Sequence, residues 1–95
     1  MEFEWDGGKA EINRRKHGVL FGEAETMIGP AIFEDFDHSE KESRYLAIGF
    51  SDKGRLLTVS FTRPRPGVCR IISARRATKQ EQERYAKAKR EAGEP

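Results

Sequence analysis

Residues 44–76 read RYLAIGFSDKGRLLTVSFTRPRPGVCRIISARR, and the way this stretch divides decides the fold. Leu46, Ile48 and Phe50 alternate with other residues, the period of a strand with one buried face, so Arg44–Phe50 is predicted to be extended. Ser51-Asp52-Lys53-Gly54 follows as a tight turn, with Gly54 free to take the positive φ such turns need. Leu56–Thr62 reads as the next strand. The prolines of Arg63-Pro64-Arg65-Pro66-Gly67 prevent it from continuing, and Val68–Ala74 forms another strand beyond them. Upstream, Ala31–Phe36 has the same alternating character, and the polar run Asp37–Lys41 serves as its turn. Four strands joined by short connections imply an antiparallel meander.

Working outward, Phe3 and Trp5 alternate with Glu2 and Glu4 in a short N-terminal strand. Asp6 is placed to cap a short helix through Lys9, Ala10, Ile12 and Asn13, which Gly18 can close in the left-handed conformation. Phe21, Ala24 and Ile28 recur at helical spacing, predicting a second short helix over Phe21–Met27 that ends at Gly29-Pro30. At the other end, Thr78-Lys79-Gln80-Glu81 matches a capping box, so a helix is expected over Lys79–Glu91. Its few apolar residues, mainly Tyr85, Ala86 and Ala88, predict weak docking or a helix that reaches away from the domain, with Ala92–Pro95 as a frayed tail. The fold class read from these elements is α+β, a meander with two short N-terminal helices and one C-terminal helix.

A chain of 95 residues has room for one domain with one modest core, here 1–95 with residues 79–95 as its helix and tail. The apolar share of 36% equals the charged share, but the apolar residues fall in patterned runs, which favours a charge-rich globular protein over a disordered one. The lone Cys69 excludes an internal disulfide and a zinc site built on several thiolates, and it is expected to pack as a small hydrophobe in a reducing compartment. No apolar stretch approaches the roughly 18 residues that span a bilayer, and the start of the chain lacks the basic and apolar regions of a signal peptide. A cytoplasmic protein without membrane contact is expected.

The net charge of +2 hides an asymmetry. Residues 1–52 hold six Lys and Arg against twelve Asp and Glu, or −6, whereas residues 53–95 hold twelve against four, or +8. Clustered arginines of this kind suit a polyanion, because a guanidinium can displace a condensed counterion and grip a phosphate with two hydrogen bonds. An acidic protein partner would be matched equally well.

Among residues able to carry chemistry, Arg75 and Arg76 stand at the exit of the last strand, where a guanidinium held rigidly can meet developing phosphorane charge without reorganisation. They can equally bridge to the acidic half. Strict alternation predicts Arg70, Ile72 and Ala74 on one face and Ile71, Ser73 and Arg75 on the other. Arg63 and Arg65, held in a proline loop, suit either phosphate positioning or a surface salt bridge. Arg44 either covers the rim of the core or reaches into a cleft. Lys16 and His17 end the first helix, where the macrodipole favours a cation, and His17 can act either as a capping donor or as a proton shuttle. Asp35, Asp37, His38, Glu40 and Glu42 superficially resemble a metal cluster, but they crowd one turn without a helical His pair or a Gly-centred calcium loop. They are read as an acidic solvated loop, so no metal and no cofactor are expected.

Several segments, taken in order, carry a resemblance to a known family. They are Phe3-x-Trp5-Asp6-x-x-Lys9-x-x-x-Asn13-x-x-Lys16-His17-Gly18; Asp37-His38-Ser39; Glu42-x-Arg44-Tyr45-x-Ala47-Ile48-Gly49; Gly54-Arg55-Leu56-Leu57; and Arg70-Ile71-Ile72-Ser73-Ala74-Arg75-x-Ala77-Thr78-x-x-Glu81. Together they resemble the BrnT family of type II toxins over almost the whole chain. The resemblance implies a RelE-like fold, a curled antiparallel sheet with helices packed on it, and a metal-independent endoribonuclease that stalls translation. It also implies a BrnA-like antitoxin in a 2:2 heterotetramer, with operator DNA reached only through the antitoxin. The polar motif positions that can line a site are Lys16, His17, Arg44, Arg55, Arg70, Arg75 and Arg76. The Arg63–Pro66 loop and the basic stretch beyond Tyr85 depart from the family pattern.

The chemistry then expected is attack of an RNA 2′-hydroxyl on the adjacent phosphorus. Arg44 and Arg75 would stabilise charge, His17 or Lys16 would assist proton transfer, and Arg55, Arg63, Arg65, Arg70 and Arg76 would bind the RNA. Two alternatives use the same basic half: a non-catalytic RNA-binding module, and a structural module that docks the antitoxin.

Overall fold

Asp6 opens the first helix as expected: its carboxylate accepts the Lys9 backbone N–H at 2.9 Å. Gly18 closes that helix at φ 69°, donating its N–H to the Arg14 carbonyl at 2.8 Å. These local rules organise a computed structural model that describes residues 1–93. The elements in chain order are β1 (Glu2–Glu4), α1 (Gly7–His17), α2 (Phe21–Ala24), β2 (Ala31–Glu34), a 3₁₀ turn (Phe36–His38), β3 (Arg44–Phe50), β4 (Leu56–Thr62), β5 (Val68–Arg76) and α3 (Lys79–Glu91).

Strands β2 to β5 form the expected meander, but the sheet is not wholly antiparallel. Its order is β1-β5-β4-β3-β2, and β1 lies parallel to β5, with Glu4 beside Arg70. A parallel pair needs a crossover, which α1 begins by packing on β5. The three residues of β1 carry no local signal for a partner more than sixty positions away.

Two elements are shorter than predicted and one is longer. Helix α2 stops at Ala24 rather than Met27 because Thr26 turns its hydroxyl to the chain, donating to the Glu23 carbonyl at 2.7 Å and accepting the Asp52 N–H at 2.9 Å. Strand β2 ends at Glu34 because Ser39 folds the chain back, donating to the Asp35 carbonyl at 2.6 Å and accepting the Arg44 N–H at 3.0 Å. Strand β5 runs on to Arg76, since Leu57 and Thr58 of β4 still pair with Arg76 and Arg75.

The sheet's register changes the predicted faces. Ser60 pairs with Ser73 but Phe61 pairs with Ile71, so Ile72 is an extra residue, a bulge in β5. Before it, Cys69 and Ile71 face the core; after it, Ala74 does. Ile71 and Arg75, predicted to share a face, therefore lie on opposite ones. Arg70 and Arg75, five positions apart, are brought to the same side, opposite Thr62 and Thr58.

On the core side, Val19, Phe21 and Ala24 pack against Ala47, Leu57, Val59, Phe61, Cys69, Ile71 and Ala74. Burial raises the thiol pKa of Cys69, as suits a packed hydrophobe. The other side is partly covered by α3, which begins with the predicted capping box: Thr78 Oγ1 accepts the Glu81 N–H at 3.2 Å and a Glu81 carboxylate oxygen accepts the Thr78 N–H at 2.9 Å. The helix docks rather than reaching away. Tyr85 meets Phe50 edge to face at 5.6 Å between ring centres, and the Arg84 guanidinium lies 4.0 Å over the Phe33 ring. Ala92 and Gly93 continue as a turn, and the last two positions of the expected tail lie outside the described residues.

Candidate active site

On the face opposite α1 and α2, beside the start of α3, the sheet floor opens into a groove of about 180 Å³. Its floor is Leu46, Thr58, Ser60 and Ser73, and its walls carry Asp35, His38, Arg44 and Arg75. Three hydroxyls therefore sit between two guanidinium groups and an imidazole.

Arg75 is held as a fork. Its Nη1 and Nη2 donate to the two carboxylate oxygens of Glu81 at 2.6 and 2.7 Å. Glu81 also accepts from Thr58 Oγ1 at 3.0 Å, so the residue that caps α3 also aims the arginine. Burial works against ionisation of Glu81, but the bonds from Arg75, the Thr78 N–H and Thr58 outweigh it and bring its pKa down to about 2. Arg75 in turn is raised by the same carboxylate.

Arg44 is different. It heads β3 opposite Thr62, is half-buried, and makes no side-chain hydrogen bond or ion pair among the described residues. Across the groove mouth, His38 Nδ1 lies 2.9 Å from Asp35 Oδ2. This contact with a mostly buried carboxylate orients the ring and leaves Nε2 facing away from Asp35. In the same cross-strand row as Arg44, and on the same face, lies Arg70, separated from it by Thr62, whose buried hydroxyl has no hydrogen-bond partner among the described residues. Arg70 donates to Glu4 at 2.7 Å.

The structure thus brings together Arg44 and Arg75 and sets Arg70 on their face. The other sequence-derived positions lie elsewhere. Lys16 and His17 end α1 on the core side of the sheet and do not line the groove, so the structure does not bring them together with Arg44 and Arg75. Arg55 is committed to Glu23, through Nε at 2.9 Å and a second, very short bond through Nη2. That carboxylate is buried and also accepts from Ser51 Oγ at 2.7 Å. Arg55 therefore braces α2 against the turn before β4, away from the groove. Arg63 lies on the core side over the Tyr45 and Phe61 rings, Arg65 pairs with Glu4 at 2.8 Å, and Arg76 emerges exposed on the core side of β5. The residues missed from sequence are Asp35 and His38, read there as a solvated loop. Asp37-His38-Ser39 was among the segments that carried the resemblance, and it was the available signal.

The Arg55 hydrogen bonds, opposed by burial and helped by Ser51, hold Glu23 at about 2. Two carboxylates thus have folded-state values well below their ordinary 4.5. Their stabilisation is complete above that ordinary value and is lost as pH falls toward 2. Thermal melts should therefore drop steeply between about pH 4.5 and 2, and Glu23→Gln, already less stable at neutral pH, should show a shallower drop. An equally steep drop in Glu23→Gln would remove Glu23 from this account.

Residues 5–81 match the family model described as ribonuclease toxin, BrnT, of type II toxin-antitoxin system. The chain belongs to the BrnT family. Among solved structures, it is similar to the Brucella abortus ribonuclease toxin BrnT, with 27% identity, a TM-score of 0.67, and coverage of 83% of this chain and 99% of that one. No curated protein matches. As a BrnT-family chain it is a ribonuclease toxin by class, with an antitoxin as implied partner. The family match runs from Trp5 to Glu81 and so takes in all the groove residues together with the carboxylate that fixes Arg75.

Proposed function

We propose that this chain is a metal-independent endoribonuclease whose reaction takes place in the Arg44–His38–Arg75 groove. His38 Nε2 removes the proton from an RNA 2′-hydroxyl, and Asp35 holds the ring for that transfer. The new 2′-O–P bond forms as the P–O5′ bond breaks. The departing 5′-oxygen takes a proton from water in the open groove, and the hydroxide so formed takes back the proton held by His38, leaving a 2′,3′-cyclic phosphate and a 5′-hydroxyl. Arg75, immobilised on Glu81, and Arg44, with no acidic partner, face the charge that grows on the non-bridging oxygens. Two guanidinium groups supply the positive charge that a metal ion would otherwise bring.

The observation that carries this reading is an arginine without an acidic partner beside a fixed arginine and an oriented imidazole in one groove. In the cell, cutting RNA would stall translation in the cytoplasm, and a BrnA-like antitoxin in a 2:2 assembly would hold the toxin in check. The RelE-like label belongs with this reading too, because the sheet floor and arginine-rich groove suit that kind of nuclease.

The test is cleavage of a single-stranded oligoribonucleotide by the purified chain with a chelator present. Cyclic-phosphate products are expected, and Arg44→Ala should reduce the rate about 10²–10³-fold, the usual effect of losing one donor to a developing oxyanion. Cleavage that stops with chelator, or that Arg44→Ala leaves untouched, would overturn the mechanism.

A further inference from the structure

The helical layer covers only part of its side of the sheet. Both α1 and the single turn of α2 pack on β5, and beside α2 lies an open groove of about 340 Å³ whose deepest residues are already buried. Ala47, Val59 and Phe61 form its floor, and Met27, Pro30 and Ile32 wall one side. The opposite wall is Phe3, which is 38% exposed; Ile32 is 44% exposed. Phe3 and Ile32 thus leave apolar surface on both lips of one groove, a shape that can receive the apolar side chains of another molecule. Methionine suits such a surface because its side chain adapts to what it meets.

The rim says what kind of molecule. Arg63 lies 5.1 Å over the Tyr45 ring and 5.7 Å over Phe61, anchored by cation–π contact, and has no ion pair among the described residues. It stands at the groove edge, while Glu25 marks the other side. RNA does not fit an apolar floor with one cation. An amphipathic protein segment does, with apolar side chains at helical spacing in the groove and a carboxylate on the flank that meets Arg63. A type II toxin implies a protein antitoxin, and we propose that this groove is where an acidic amphipathic segment of that antitoxin anchors. The proposal rests on the toxin reading.

The groove lies on the other side of the sheet from Arg44, His38 and Arg75. An antitoxin segment seated there anchors the complex and does not itself plug the active groove. Binding and catalysis should accordingly separate. The probe is the purified protein encoded by the adjacent open reading frame, titrated against wild type, Ile32→Asp and Arg63→Glu, with RNA cleavage measured for each alone. Wild type should bind it. Each variant should cleave RNA at the wild-type rate yet bind at least ~30-fold more weakly, in line with loss of a hot-spot contact, and Arg63→Glu should regain affinity when a partner Asp or Glu is changed to Lys.

If both variants fold, cleave and bind as wild type does, the docking site is wrong and the toxin reading stands. If Ile32→Asp abolishes only self-association of the toxin, the occupant is a second copy and the proposal falls. If Ile32→Asp fails to fold, Arg63→Glu, whose side chain lies on the surface, decides alone. A wild-type chain that cleaves RNA but does not bind the neighbour's product overturns the proposal. One that neither cleaves nor binds overturns the toxin reading with it.

Discussion

His38→Ala should slow RNA cleavage about 10²–10⁴-fold, the usual contribution of a positioned general base, while leaving thermal stability almost unchanged. The imidazole is 65% exposed and, among the described residues, its side chain bonds only to Asp35, so little of the fold depends on it. Surface changes of this sort are worth within about 0.5 kcal/mol. Asp35→Asn should cost less than His38→Ala, because it keeps a hydrogen-bonding partner for the ring but removes the charge that favours the imidazolium formed during proton transfer. Single-turnover rates on a short oligoribonucleotide, alongside melting curves, measure both effects. A folded His38→Ala chain that cleaves at the wild-type rate would assign proton transfer to another group.

Asn13→Ala should be the most destabilising substitution outside the apolar core. Asn13 is 5% exposed, and its side-chain N–H₂ donates to the carbonyls of Val19 at 3.0 Å and Ala74 at 2.8 Å. Its Oδ1 accepts the Ala74 N–H at 3.1 Å. The reason lies in the sheet. β1 pairs with β5 only as far as Arg70, so beyond that point the edge of β5 has no strand beside it. The Asn13 amide takes the place of the missing strand for one residue, and also fixes the chain leaving α1. Alanine leaves three buried backbone groups without partners. At about 1–3 kcal/mol for each group left unsatisfied, and with some rescue by water, the loss should be about 2–4 kcal/mol. For a domain of this size that lowers the melting temperature by roughly 10–25 °C. Asn13→Asp, which keeps the acceptor but cannot donate, should be nearly as damaging. A drop of only a degree or two would mean that another group can serve the edge of β5.

The contrast between these two residues shows what sequence could and could not reveal. Asp6, Gly18, Gly54 and the Thr78–Glu81 capping box act through neighbours a few positions away, and each marked its element correctly. Arg44 and Arg75 were legible as site candidates because a strand start and a strand end were legible. Asn13 reads from sequence as a helix residue and no more, since its partner Ala74 is 61 positions away. His38 is not legible as a site residue from sequence, because the acidic residues around it in the chain read as a solvated loop. What makes it a candidate is the fold of β2 into the 3₁₀ turn, which sets it beside Arg44. Arg55 failed in the opposite way: it looked like one more free cation, and the buried Glu23 that holds it lies 32 residues upstream.

The extra residue at Ile72 also bears on how relatives of this chain should be aligned. Side chains in a strand alternate strictly, so one inserted position reverses the facing of everything after it. Here Arg70 and Arg75 reach the same side only because five positions, rather than four or six, separate them. A relative that lacks the insertion would present an arginine to the groove from the residue aligned with Arg76 or Ala74, so an apparent loss of the arginine in a gapless alignment need not be a loss of the group. What puts the arginine in the groove of this chain is the parity of the spacing together with the bulge, and the residue at position 75 reports on it only when the bulge is present.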